Sequence, residues 1–248
     1  MNSVALVTGA SRGIGRATAI LLAEQGYAVG VNYLNNEAAA QSVVDEIISG
    51  GGNAIAIKAD IADEAQVVAM FKRLTDELGT LTALVNNAGI LFQQSTIENL
   101  TAERINTVLS TNVTGYFLCC REAVKIMSHR HGGKGGAMVN VSSAASRLGA
   151  PGEYVDYAAS KGAVDTLTTG LALEVAAYGI RVNCVRPGLI YTDIHASGGE
   201  PGRVDRVKAN LPMQRGGQPE EVAQAICWLL SDSASYVTGS FIDLAGGR

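Results

Sequence analysis

Short apolar runs alternate along the chain with longer stretches in which apolar residues recur every three or four positions. VALVT at 4–8 is continuously apolar, the pattern of a strand buried on both faces. Ile14, Ala17, Thr18, Leu21 and Leu22 then repeat at helical spacing, and Gly26 follows as a C-cap. YAVGVNY (27–33) predicts a second strand, and a helix follows over about 37–48 before three glycines at 50–52. AIAIK (54–58) predicts a third strand. Asp63 with Gln66 resembles a capping box, and Val67, Phe71, Leu74 and Leu78 line one face of a helix that Gly79 ends. Further strands are expected at TALVN (82–86), AMVNVS (137–142), IRVNCV (180–185) and SFIDL (240–244). Helices fit between them at about 102–129, 155–177 and 219–231.

Such alternation predicts right-handed βαβ crossovers and one α/β domain over residues 1–248. The expected architecture is a doubly wound, Rossmann-like fold whose mostly parallel, seven-stranded sheet carries helices on both faces. Ligands bind such sheets beyond the carboxyl ends of the strands, where the strand order reverses. The segments just after the strands are TGASRGIG, NNAG, SSAAS and RPGLIYT, all rich in small or polar residues.

Composition narrows the classes. With 47% hydrophobic and 17% charged residues the 248-residue chain can bury a sizeable core. A formal net charge of −4 argues against a nucleic-acid partner. Strand-like sequence from Val4 leaves no room for a secretory leader, and no apolar stretch approaches the roughly 18–20 residues of a membrane span. A cytoplasmic protein with no membrane contact is expected. Cys119, Cys120, Cys184 and Cys227 form no CxxC pair and read as small buried hydrophobes. His129 and His131 flank a glycine-rich loop without acidic or cysteine partners, so no metal site is expected.

Gly9, Gly13 and Gly15 join the first strand to the first helix, where backbone N–H groups and the helix dipole attract a pyrophosphate. The second strand ends Asn32-Tyr33-Leu34-Asn35, without the acid that usually bonds an NAD ribose. Arg12 lies within the glycine loop and can reach a 2′-phosphate. NADP is therefore expected over NAD. In YAASK, Tyr157 and Lys161 stand four apart on one helical face. A neighbouring ammonium favours the phenolate by up to roughly 4 kcal/mol, so Tyr157 qualifies as a general acid or base. Asp156 would oppose that shift if it faced the same way, and Tyr154 reads as a pocket wall. Ser142 and Ser143 end a strand upstream and either can hydrogen-bond a substrate oxygen. No GxSxG elbow surrounds them, which argues against a nucleophilic serine.

With these residues in hand the sequence resembles the short-chain dehydrogenase/reductase family, in its compact form of one domain. TGASRGIG (8–15), NNAG (86–89), TNVTG (111–115), VSS (141–143), YAASK (157–161) and RPGLIYT (186–192) occur in the family's order and approximate spacing, covering almost the whole chain. The resemblance implies a catalytic set of Asn112, Ser143, Tyr157 and Lys161. Tyr157 exchanges the proton, Ser143 orients the substrate oxygen, and Lys161 lowers the tyrosine pKa and holds the nicotinamide ribose. Asn112 kinks its helix and anchors a proton relay. Cofactor contacts are implied at Gly9, Ser11, Arg12, Gly13, Ile14 and Gly15 of the loop. They continue at Asn32 and Tyr33, at Asp60 and Ile61 beside the adenine, and at Asn87, Ala88 and Gly89 beside the ribose. Tyr157, Lys161, Pro187, Gly188, Ile190 and Thr192 complete the nicotinamide end. The Ser143–Tyr157 gap looks longer than the family's, which keeps Ser142 open as the serine.

The implied activity is NADP(H)-dependent interconversion of a carbonyl and a secondary alcohol, with hydride passed on the pro-S face. The alternatives are a glucose-type sugar dehydrogenase, a non-redox enzyme of the same fold, and a dinucleotide sensor. A lid is expected over Asp193–Gly217, in which His195, Arg203 and Arg206 either meet a polar or anionic substrate or stay solvated. Sugars, 3-oxoacyl thioesters and small ketones or aldehydes all fit the sequence. Relatives are commonly homotetramers, and the apolar stretch 166–177 is compatible with that.

Overall fold

The first strand, β1 (Val4–Val7), leads through the glycine loop into α1 (Gly13–Glu24), β2 (Ala28–Tyr33), α2 (Glu37–Ser49) and β3 (Asn53–Lys58). Then come α3 (Glu64–Leu78), β4 (Leu81–Asn86), α4 (Ala102–Leu109) and α5 (Gly115–Met127). Next are β5 (Gly136–Val141), a short α6 (Ala145–Leu148), the long α7 (Val155–Val175) and β6 (Ile180–Pro187). The chain closes with α8 (Ile194–Ser197), α9 (Arg203–Val207), α10 (Pro219–Leu230) and β7 (Phe241–Leu244). The computed structural model describes residues 3–248; Met1 and Asn2, part of the expected domain, lie outside them.

Among the described residues seven strands form one sheet in the order β3-β2-β1-β4-β5-β6-β7, every neighbouring pair parallel. This is the doubly wound Rossmann-like α/β fold expected from the sequence. The period of two along each strand sorts its side chains to two cores. Ala5 and Val7 join Leu22, Val43 and Ile226 beneath α1, α2 and α10. Val4 and Leu6 join Phe71, Tyr116 and Val164 beneath α3, α5 and α7. Each fully buried branched side chain contributes roughly 1.5–3 kcal/mol, so burial on both faces holds the register. The order reverses between β1 and β4, which opens a crevice at their carboxyl ends.

Two local expectations change. The helix expected over 102–129 is α4 and α5 joined by a π turn at Ser110–Thr114, with Asn112 at its centre. A Cβ at Gly115 would lie 2.7 Å from Ile61 Cδ1, so the turn delivers a residue without a side chain where α5 meets the end of β3. The capping box is only half present. Asp63 Oδ1 accepts the Gln66 amide at 3.1 Å, but the Gln66 carboxamide turns to Asp60 N (2.9 Å) and Asp63 Oδ2 (3.0 Å).

Cys119, Cys120, Cys184 and Cys227 are free and buried, and burial pushes the thiols of Cys120, Cys184 and Cys227 up to about 12. They are packing residues. His129 lies across Gly179, where a Cβ would stand 2.2 Å from the imidazole. No helix of the described residues is long and apolar enough to cross a membrane.

Candidate active site

A cavity of about 960 Å³ runs along the crevice, from the loop after β1 and the end of β2 to the segments after β5 and β6. The glycine loop enters it because no side chain would fit. Gly9 has a φ of +61°, and a Cβ there would lie 2.8 Å from Ala88 Cα; one at Gly15 would lie 2.5 Å from both Asn87 Nδ2 and Gly9 O. The loop and the NNAG turn after β4 are thus packed backbone to backbone. Thr8 Oγ1 accepts the amides of Asn87 (2.9 Å) and Ala88 (3.0 Å), while Asn87 Nδ2 donates to Thr8 O (2.9 Å) and Gly9 O (3.0 Å). A Cβ at Gly13 would lie 3.3 Å from Thr192 Cγ2, bringing the RPGLIYT segment to the same place.

Ser11, Arg12, Gly13, Ile14, Asn32, Tyr33, Asp60, Ile61, Asn87, Ala88, Gly89, Pro187, Gly188, Ile190 and Thr192 all line this cavity with Gly9, whereas Gly15 stands behind the loop. Two of them, Asn32 and Asn87, also hold the surrounding backbone in place. Asn32 is buried, with Oδ1 accepting Gly9 N (3.1 Å) and Nδ2 donating to Ile57 O (3.2 Å) and Ala59 O (3.1 Å). Its carboxamide, like the Asn87 Nδ2 group, is committed to backbone and offers the cavity a shaped loop. Arg12 stands exposed on the wall beside Tyr33, Asn35 and Asn36.

At the other end Ser143, Tyr157 and Lys161 meet, from the segment after β5 and the first turns of α7. The two serines separate cleanly. Ser142 is buried and its Oγ donates to Lys161 O at 3.1 Å. Ser143 faces the cavity and hydrogen-bonds the Tyr157 phenol; its Oγ also accepts Ala145 N at 3.1 Å. The Ser143–Tyr157 connection contains α6 and the turn after it.

Lys161 Nζ donates to Val141 O (2.7 Å) and Tyr116 Oη (3.3 Å), and lies 5.7 Å from the centre of the Tyr157 ring. Tyr157 keeps some exposed surface, but its phenol group is enclosed, and that burial pushes it up to about 12 against the downward pull of the Ser143 hydrogen bond. Burial likewise brings Lys161 down to about 8, although Cys184 and Asp165 pull it upward. With its ammonium bonded to Val141 O and Tyr116 Oη, Lys161 leaves burial as the larger influence on the phenol. Asp156 is turned to Arg104, with Oδ2 2.7 Å from Nε. Asn112 is fully buried; Oδ1 accepts Ile90 N (2.8 Å), and Nδ2 donates to Ile90 O (2.9 Å) and Ser160 Oγ (3.0 Å). Gly89 sits beside both, since a Cβ there would lie 3.5 Å from Asn112 Oδ1 and 3.6 Å from Lys161 Nζ.

The segment 193–217 covers the substrate end with α8 and α9. Its arginines are ion-paired. Arg203 lies 2.5 Å from Glu153 and 3.1 Å from Glu200, while Arg206 pairs with Glu200, which also accepts Gln94 Nε2 at 2.8 Å. His195 Nε2 is 2.9 Å from Ile190 O. Sequence reasoning missed Thr8 and Tyr116. Thr8 opens the glycine motif, and Tyr116 follows Asn112 by four, the spacing that shares a helix face.

Comparison with known proteins identifies the family. Residues 9–248 match the family model described as Enoyl-(Acyl carrier protein) reductase. The uncharacterized oxidoreductase YgfF of Escherichia coli strain K12 is 75% identical over 246 residues, covering 99% of this chain and all of that protein. The 3-oxoacyl-acyl-carrier-protein reductase FabG of Staphylococcus aureus strain Mu50 is 39% identical over 247 residues, 100% of this chain and 98% of the relative. A crystal structure of a short-chain dehydrogenase from Burkholderia cenocepacia J2315 in complex with NADP superposes with a TM-score of 0.89 at 32% identity, covering 99% of this chain and 97% of that one. Full-length likeness to named oxidoreductases, on the same fold, establishes that the chain belongs to the short-chain dehydrogenase/reductase family and is an oxidoreductase of it.

Proposed function

We propose that the protein is an NADPH-dependent reductase of 3-oxoacyl thioesters, converting the ketone to a secondary alcohol. The single observation that carries this reading is the convergence of Ser143, Tyr157 and Lys161 in the cavity that the glycine loop opens. A protonated phenol is the form that gives a proton to a carbonyl oxygen. Ser143 Oγ would hydrogen-bond the same oxygen as charge develops on it. Lys161 would hold the ribose and stabilise the phenolate left behind. Asn112 would fix the wall at Ile90 while bracing Ser160 on α7.

The residues present fit a dinucleotide, because Gly9 and Gly13 line the cavity as bare backbone at positive φ, while Gly15 lets the loop pack onto the NNAG turn. When bound, the cofactor supplies the hydride. Arg12 and the absence of a carboxylate at Asn32-Tyr33-Leu34-Asn35 support a 2′-phosphate, and the Burkholderia relative was solved with NADP. For the substrate, Ile90, Leu91, Leu148, Ile194 and Leu211 line an apolar end, and the lid cation Arg203 is already paired. Both features, with the FabG relative, support an acyl chain over a sugar. The exposed Phe117 (52%) on α5 and Leu173 (81%) on α7 support a homotetramer.

Arg12→Ala should weaken NADPH binding about tenfold or more, the loss of a charge-assisted hydrogen bond, and leave NADH within about twofold. Titration of both cofactors by fluorescence checks this, and equal losses would refute the phosphate assignment. Ser143→Ala should lower turnover by about 10²–10³-fold. Ser142→Ala should cost about 1 kcal/mol of stability, seen by thermal melting, with turnover little changed. The reverse outcome would exchange the two serines.

A further inference from the structure

Arg104 and Asp156 form an ion pair that the proton chemistry above does not use. Arg104 Nε lies 2.7 Å from Asp156 Oδ2 and Nη2 3.4 Å from Oδ1, and the side chains are 16% and 2% exposed. Asp156 Oδ1 also accepts the Tyr157 backbone N–H at 2.9 Å. Arg104 Nη1 donates to Gln93 O at 2.7 Å, and the guanidinium lies 5.6 Å from the centre of the Phe92 ring. One side chain of α4 thereby ties the loop after β4, which carries Ile90 and Leu91 of the cavity wall, to the first turn of α7.

The first amides of a helix need acceptors from outside it. Tyr154, the N-cap of α7, makes no side-chain cap bond, so the Asp156 carboxylate supplies the acceptor at Tyr157, where the helix dipole favours negative charge. A buried carboxylate left unpaired is costly, and Arg104 supplies its partner.

We propose that Arg104 and Asp156 are positioning residues for Tyr157: the carboxylate fixes the first turn of α7 at the tyrosine's own amide, and the guanidinium clamps that turn to the cavity wall. This rests on Tyr157 being the proton donor.

Arg104→Met, Asp156→Asn and the double variant are compared with the wild type in NADPH-dependent reduction of acetoacetyl-coenzyme A. In Arg104→Met, turnover near pH 8 falls at least about tenfold while NADPH affinity stays within about twofold. The double variant should lose no more than Arg104→Met alone, because the two side chains act through one tie. Losses that multiply in the double variant mark two separate defects and overturn the inference. Amide hydrogen exchange at Tyr157 gives a readout without substrate, and it stands even if Arg104→Met does not fold. Exchange should speed about tenfold or more in Asp156→Ala but not in Asp156→Asn; equal protection in both overturns the tie. Tyr157→Phe separates the two levels: turnover retained there refutes the proton donor, whatever the exchange result.

Discussion

Replacing Tyr157 with phenylalanine should lower turnover about 10²–10⁴-fold, the share that a positioned proton donor contributes, or about 2.7–5.4 kcal/mol of barrier. The change removes one oxygen and keeps the ring, so the packing of α7 against the cavity is preserved. Ser143 keeps its bond from the Ala145 amide (3.1 Å) and Lys161 its bonds to Val141 O (2.7 Å) and Tyr116 Oη (3.3 Å), so neither loses its place. NADPH affinity should therefore stay within about twofold, and the loss should fall on kcat, as expected for an interaction made in the transition state. Stopped-flow and steady-state rates on the same preparation check it. Turnover within about threefold of wild type would remove Tyr157 from the chemistry.

Gly15→Ala should be the most damaging change at the cofactor end, against the ordinary trend for helices. In a free helix, alanine is favoured over glycine by about 1 kcal/mol. Here the new Cβ would lie 2.5 Å from Gly9 O and from Asn87 Nδ2, and 2.9 Å from Ala10 Cα. Two of these neighbours are backbone, and Asn87 Nδ2 cannot retreat without giving up its bonds to Thr8 O and Gly9 O. Relief by moving the loop costs about 1–3 kcal/mol. A net loss near 2 kcal/mol lowers the melting temperature by about 4–8 °C in a chain of this size. The shifted loop should reduce turnover about 10²-fold, with NADPH and NADH affected alike. Unchanged melting and unchanged affinity for both cofactors would mean that the cradle is looser than its contacts indicate.

Much of this was legible because burial on both faces of a parallel sheet leaves continuous apolar runs, such as VALVT, that match few other structures. The glycine loop and the NNAG turn were legible for a similar reason: glycine spacing records where no side chain fits. What escaped the sequence depends on contacts between distant segments. The π turn at Ser110–Thr114 keeps an apolar rhythm close to a helix's, so 102–129 reads as one element until Gly115 is seen against Ile61. Asn32 and Asn87 sit where cofactor contacts are expected, yet their amides serve the backbone of neighbouring strands. Arg203 has Glu200 three residues earlier, but nothing in the sequence points to its second partner Glu153, fifty residues earlier. Helical spacing brought Tyr157 and Lys161 together correctly, but spacing carries no information on desolvation, which sets both pKa directions. The adjacent serines look alike in sequence, yet just beyond β5 Ser142 is buried on Lys161 O while Ser143 is half-buried in the cavity.

The most direct test of the account is nicotinamide absorbance during incubation of the purified protein with acetoacetyl-coenzyme A and either NADPH or NADH, with Tyr157→Phe run in parallel. The account predicts steady loss of the reduced cofactor with the wild-type protein, faster with NADPH than with NADH, and almost none with the variant. Equal consumption by wild type and Tyr157→Phe, or no consumption by a wild-type protein that binds NADPH, would contradict it.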